Sequence, residues 1–251
     1  MDDSSSSTDA RSQRLRRIAR WSAITAGCAA MVLLVAAIVT VAVIYPRLPD
    51  ISELADYRPK LPLRVYTAEG TLIGEFGEER RTLTPFASIP QVMKDAVLAV
   101  EDARFYEHGG VDYIGFMRAA VASLKGGRQQ GASTITMQVA RNVYLTSERT
   151  LTRKTYEILL ALRLEQQLTK DQILEIYLNQ IYLGNRAYGF AAASEAYFGK
   201  PLQDVTIAEA AMLAGLPKAP GANNPVVNPR RARARQLYVI DRMQETGFIT
   251  A

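Results

Sequence analysis

Between Trp21 and Tyr45 the chain runs for 25 residues without a charged side chain. Nothing else in the sequence constrains the fold as strongly. As a helix the run spans about 37 Å, enough to cross a bilayer core with some tilt. Arg11, Arg14, Arg16, Arg17 and Arg20 precede it, while Pro46 and Arg47 follow. This bias predicts a cytoplasmic N-terminus and an exported C-terminal domain. A cleaved signal peptide is the alternative, but the run is too long for its apolar region and no small-x-small site follows. Thr25-Ala-Gly-Cys28 has the form of a lipoprotein cleavage box. Cys28 lies near the start of the apolar run rather than after it, so it reads as a small residue in a membrane helix.

Four segments are expected: a cytoplasmic tail over 1–20, a transmembrane helix over 21–45, a linker and β-hairpin over 46–80, and one large domain over 81–251. Residues 1–10 are rich in Ser and Asp and read as disordered. Residues 46–62 hold four prolines, a linker composition. Leu63 to Phe76 alternates around Glu69-Gly70, which predicts a hairpin. From Ser88 onward the period is helical. Pro90 suits a first helical position, with Met93, Val97 and Val100 on one face and an end near Glu101. Further helices are expected over Asp112–Leu124, Thr134–Val143 and Leu151–Leu168. A fifth starts from the Thr169/Gln172 capping box and closes at Gly184. A Thr206/Glu209 box precedes Ala208–Leu216, which makes Glu209 a helix cap. Asn228-Pro229 opens a last helix that ends at Gly247. The class is mainly α with a small β element.

Cys28 and His108 are the chain's one cysteine and one histidine. No internal disulfide is possible, and zinc clusters built on these residue types are excluded. A Ser-His-Asp triad would have to use His108, and no nucleophile-elbow pattern is present. The net charge of +5 is spread along the chain and accompanies no nucleic-acid motif. A mildly basic exported domain beside a membrane suits an anionic lipid partner. The chemistry left to the chain is that of carboxylates, hydroxyls, amides and cations.

Within Glu101 to His108 fall three acids, an arginine and the histidine. Glu101 stands at the edge of an apolar helical face and at a helix C-terminus. Burial and the negative end of the helix dipole both disfavour its charged form and raise its pKa toward that of a general base. Asp102 and Arg104 are placed to tune that charge, and His108, four residues past Arg104, can face the same pocket. The bland alternative is a charged helix end. A short helix further on, Gly131-Ala-Ser-Thr-Ile-Thr-Met-Gln138 offers the donors of Ser133, Thr134, Thr136 and Gln138 at a helix start. Such donors suit sugar or phosphate oxygens, or a plain helix cap. The cations Arg141, Arg149, Arg153 and Lys154 follow, with Glu157 three residues after Lys154 on one helix face. As a surface ion pair these would be worth under about 1 kcal/mol.

These segments resemble the motifs of the peptidoglycan glycosyltransferases, the lipid II polymerases of the bacterial cell wall. Glu101, Asp102, Phe105, His108 and Gly110 match the first motif, and Gly131 to Gln138 the second, with Met137 where Gln is usual. Arg153, Lys154 and Glu157 match the third, and Tyr177-Leu-Asn179 with Gly184, Gly189 and Tyr197 to Lys200 the fourth. Ala208 to Pro217 with Pro220 and Asn224-Pro225 match the fifth. The matches stand in family order over roughly residues 83 to 245.

The resemblance implies a lysozyme-like fold, mostly helical, with two lobes and a long cleft. It implies Glu101 as the base that deprotonates the 4-hydroxyl of an acceptor sugar, inverting the donor linkage from α to β with loss of polyprenyl diphosphate. Glu157 would be a second acid or would orient cations. Asp102, Arg104, Phe105, His108, Ser133, Thr136, Gln138, Arg141, Arg149, Arg153, Lys154 and Asn179 would form the substrate site. Asn179 reads equally as a buried structural amide. No cofactor is required; a divalent metal, Mg or Mn, at the diphosphate stays open. The partners implied are lipid II, the growing glycan strand, the cytoplasmic membrane and cell-wall synthesis proteins. Ile114 to Val121 either dips into the membrane interface or is a core helix. The linker and hairpin look like those of bifunctional penicillin-binding proteins, so a transpeptidase domain is expected to follow in the parent. No Ser-x-x-Lys motif occurs here to bind penicillin covalently. The alternatives are a lysozyme-like muramidase and a non-catalytic cell-wall scaffold.

Overall fold

The computed structural model describes residues 3–49, 63–70, 72–77, 79–124, 133–145 and 150–250. They form two compact units, Met1–Leu48 and Pro49–Ala251. The first is helix α1 (Asp3–Ile44), followed by a 3-10 turn over Tyr45–Arg47. Within its stretch Arg20–Arg47 an 18-residue window has a mean hydropathy of 2.8, and Val32, Leu33 and Met31 stand exposed. The hydroxyls of Thr25 and Thr40 donate to the carbonyls of Trp21 and Ala36, so these polar groups are satisfied within the helix. By length and composition the helix can cross a membrane. It begins at Asp3, where the composition predicts disorder. Extending a nucleated helix costs far less than starting one.

In the second unit, β1 (Leu63–Tyr66) and β2 (Leu72–Phe76) form the expected antiparallel hairpin, with Leu63 opposite Phe76 and an irregularity between Val65 and Tyr66. Gly70, at φ +85°, donates its N–H to the Thr67 carbonyl and closes the turn. β3 (Arg80–Arg81) pairs in parallel with β4 (Ala187–Tyr188). Two-residue strands are too short to leave a period in the sequence.

Among the described residues the helices of this unit are α2 (Gln91–Glu101), α3 (Tyr113–Leu124), α4 (Ile135–Tyr144), α5 (Leu151–Gln167), α6 (Lys170–Gln180), α7 (Phe190–Phe198), α8 (Ile207–Ala214) and α9 (Pro229–Glu245). Thr134, Thr150 and Asn228 cap α4, α5 and α9 through their side chains. Both expected capping boxes form, at Thr169/Gln172 and Thr206/Glu209. α6 stops at Gln180, short of Gly184, because Ile181 turns extended and its carbonyl accepts the Gly189 N–H. Gly189 has φ +82°, and a Cβ there would lie 2.7 Å from the Asn179 carbonyl oxygen; no other residue fits that approach. α7 follows directly, a short helix that no cap signal marks in the sequence.

The helices sort into two groups. α4 packs on α5 and α6, and α2 packs on α8 and α9. Ile135, Leu160, Leu164, Ile173 and Leu178 fill the first group, Met93, Val97, Leu213 and Val239 the second, all buried. The first half of α3 is not buried: Tyr113, Ile114, Phe116 and Met117 are each more than half exposed.

Candidate active site

A cavity of about 340 Å³ opens where the end of α2, the start of α3, the start of α4 and one face of α9 converge. Its floor is set by the way α2 ends. Asp102 leaves the helix with φ −161°, and its buried carboxylate accepts the backbone N–H of Ile135 at 3.0 Å. The same carboxylate accepts Nε2–H of His108, 3.0 Å from both oxygens. Thr134 caps α4 and donates its hydroxyl to the Gly110 carbonyl at 2.6 Å. Gly110 sits at φ +91°, where a Cβ would come 3.0 Å from the Ala161 carbonyl oxygen. Three short bonds therefore hold the end of α2, the following loop and the start of α4 together.

That clamp places Gln138, on the first turn of α4, against Glu101, the last residue of α2. The Gln138 amide donates to Glu101 Oε2 at 2.8 Å. Burial pushes the Glu101 carboxyl above its ordinary range. The Gln138 bond and the charges of Arg235, Arg141 and Lys218 pull in the opposite direction, and burial prevails. None of these three cations forms an ion pair with Glu101 among the described residues.

A second cluster lies on α5. Glu157, almost wholly buried, accepts from Arg153 with one oxygen and from Lys154 with the other, the latter at 3.0 Å. Lys154 also donates to Ser133 Oγ at 2.8 Å. Ser133 lines the cavity, so the cluster reaches the cleft through it.

The structure brings Glu101, Asp102, Arg104, Ser133, Gln138 and Arg141 to the cavity wall. Arg104 is ion-paired with Asp112, which also accepts the Gly115 N–H at the start of α3. Other expected residues stand behind the wall. Phe105 is buried beneath Lys170, whose Nζ lies 4.4 Å from the ring centre. Lys170 donates as well to the His108 carbonyl and to Glu165, and Thr136 is fully buried with its hydroxyl on Glu165. Asn179 does not line the cavity. Its oxygen accepts the Thr84 N–H and its amide donates to the carbonyls of Thr84 and Glu175, the arrangement of a structural amide. Arg149, and Gly131 of the second motif, lie outside the described residues.

Lys218, Arg235, Tyr238 and Arg242 also line the cavity, and the sequence reading passed over all four. Arg235, Tyr238 and Arg242 are spaced three and four apart, so they share one face of α9. That basic-aromatic stripe was the available signal. The Arg235 guanidinium lies 4.7 Å from the centre of the Tyr238 ring. Among the described residues no three His, Cys, Asp or Glu side chains are grouped to hold a metal ion.

The geometry combines a desolvated carboxylate with cations that line the same cleft and, among the described residues, form no ion pair with it. It can take a proton from a bound hydroxyl and stabilise an anion nearby. Comparison with known proteins gives this arrangement a family. The family model described as Transglycosylase matches residues 69–244. Penicillin-binding protein 1A of Neisseria flavescens is 56% identical over 213 residues, 84% of this chain and 27% of that protein. Penicillin-binding protein 1A of Pseudomonas aeruginosa is 50% identical over 237 residues, 94% of this chain and 28% of that protein. The chain thus spans about a quarter of the length of the curated relatives it matches. A crystal structure of penicillin-binding protein 1A from Haemophilus influenzae matches with 30% identity and a TM-score of 0.43, over 77% of this chain and 19% of that one.

Proposed function

This chain belongs to the transglycosylase family, and on that premise we propose that it polymerises lipid II into β-1,4-linked glycan strands, with Glu101 as general base. The observation that carries the reading is the Glu101 carboxylate, desolvated at the cleft floor with Arg141, Lys218 and Arg235 in electrostatic reach. The acceptor's 4-hydroxyl gives its proton to Glu101, and its oxygen forms a bond to the donor's anomeric carbon. The bond from that carbon to the diphosphate oxygen breaks, and the electron pair leaves with the polyprenyl diphosphate. Attack opposite the leaving group inverts the linkage. The new negative charge meets Arg141, Lys218 and Arg235, cations that line the same cavity. Lys154, held by Glu157 and Ser133, adds a cation on the α4–α5 side. Glu157 in this reading orients cations, since both its oxygens are engaged by them.

A metal would draw on substrate oxygens, because the described side chains offer no three-ligand cluster; no step here needs one. The two helix groups flanking the cleft suit the lysozyme-like architecture. α1 anchors the chain in the bacterial inner membrane with its N-terminus in the cytoplasm, and the catalytic unit works on the outer side. The exposed apolar face of α3, whose Phe116 also lines the cleft, suits the lipid-linked end of the substrate. The glycan strand and other cell-wall synthesis proteins are the remaining partners.

The test is incubation of the full chain in detergent with labelled lipid II and, separately, with preformed glycan strands, resolved on a gel. Ladders of polymer from lipid II are expected. Shortened strands with untouched lipid II would instead make the protein a muramidase, and inertness toward both would make it a scaffold.

A further inference from the structure

Tyr177, on α6, carries a hydroxyl that the fold leaves unpaired. The side chain is 1% exposed, and its oxygen has no hydrogen-bond partner among the described residues. A buried phenol without a partner costs free energy that a phenylalanine of the same shape would not. The surroundings of that oxygen are not those of an ordinary core. Glu101 and Asp102 from the end of α2 and Arg141 from α4 all act on it electrostatically, and burial holds it in the protonated, donating form. Among the described residues Glu101 has one neutral donor, the amide of Gln138, and Gln138 is itself a residue of the cavity wall.

We propose that Tyr177 is a positioning residue for Glu101: its hydroxyl is the reserve donor to the Glu101 carboxylate, engaged when substrate draws the Gln138 amide into the cleft. The inference rests on the reading of Glu101 as the base. A carboxylate that lost its single neutral donor on substrate binding would become harder to keep ionised at the moment it must accept a proton. Tyr177 is buried on α6, which packs on the Gln138-bearing helix α4, and it does not line the cavity, so its hydroxyl is out of the substrate's reach and stays available. The other charges that face Glu101 are Arg141 from α4, Arg235 from α9 and Lys218 after α8. They act at a distance and do not fix the orientation of the carboxylate.

The test is a cycle of Tyr177→Phe and Gln138→Ala in the full chain. Glu101 is titrated by carbon NMR with labelled glutamate and assigned by Glu101→Gln. With Gln138 present, Tyr177→Phe moves the Glu101 titration little. With Gln138→Ala, adding Tyr177→Phe raises it by about 0.7 pH unit, the worth of one neutral hydrogen bond. With lipid II, Tyr177→Phe raises the acid limb of kcat, which reports the bound complex, and leaves that of kcat/KM in place. Thermal stability stays level or rises, because an unpaired hydroxyl is removed. The proposal is overturned if Glu101 titrates alike with and without the Tyr177 hydroxyl in the Gln138→Ala chain. A wild-type chain that makes no polymer would sink the functional reading, while the NMR cycle would still decide whether Tyr177 serves Glu101.

Discussion

Glu101 and Glu157 are both acids set beside cations, yet their surroundings differ in kind. Glu157 gives one oxygen to Arg153 and the other to Lys154 in direct ion pairs. Among the described residues Glu101 has a single neutral hydrogen bond and no ion pair with its cations. A carboxylate with both oxygens engaged by cations serves to hold those cations in place. A carboxylate that burial destabilises, and that no ion pair rescues, accepts one when a hydroxyl arrives. In the proposed reading, two glutamates on neighbouring helix groups divide the work of moving a proton and organising charge.

The largest expected effect comes from removing the Glu101 charge. Glu101→Gln keeps the size and the contact with Gln138, and polymerisation from lipid II should fall by about 10³-fold, within the range for a lost general base. Stability should change little, because the variant removes an unfavourably buried charge. A residual rate near wild type would erase the distinction between the two glutamates.

Glu157→Gln should act chiefly on stability. It leaves Arg153 and Lys154 without their counter-charge. The expected cost is about 2 kcal/mol, less than for a fully buried pair because the Lys154 side chain is 39% exposed. Thermal melting reads that loss directly. A rate loss as deep as that of Glu101→Gln at unchanged melting temperature would make Glu157 a second proton carrier instead. Smaller again is Lys154→Ala, expected to slow turnover about tenfold through lost stabilisation of the leaving diphosphate. Arg230→Ala, exposed at the start of α9 and outside the cavity lining, should stay within about twofold of wild type. Equal effects of the two would remove Lys154 from the diphosphate site.

Much of the scaffold was readable from the chain because its signals are local. Pro90 stands one residue before α2, as its N-cap rather than its first helical residue, Glu101 ends that helix, and the Thr169 and Thr206 boxes start α6 and α8. The hairpin followed from alternation around Gly70. What escaped depends on contacts between distant segments. β3 and β4 pair residues about a hundred positions apart over two residues each, and no local period foretells that. The same holds for the site. Glu101, Gln138 and Arg141 were named from motifs that sit close in sequence. Arg235 and Lys218 reach the cleft only because α2 packs against α8 and α9, a fact of tertiary structure. Asn179 and Thr136 carry polar groups that a sequence cannot tell from ligand donors until their partners, Thr84 and Glu165, are seen.

The most direct test of the account is the pH dependence of kcat/KM for lipid II polymerisation. Burial raises Glu101 above the ordinary carboxylate range, and a base works only when deprotonated. The rate should therefore be full above that raised pKa and fall tenfold per pH unit below it. The limb should move further up in Arg235→Gln, since Arg235 favours the charged form. A rate that stays flat down to about pH 4.3, the value of an unperturbed glutamate, would contradict the central role given to a desolvated Glu101.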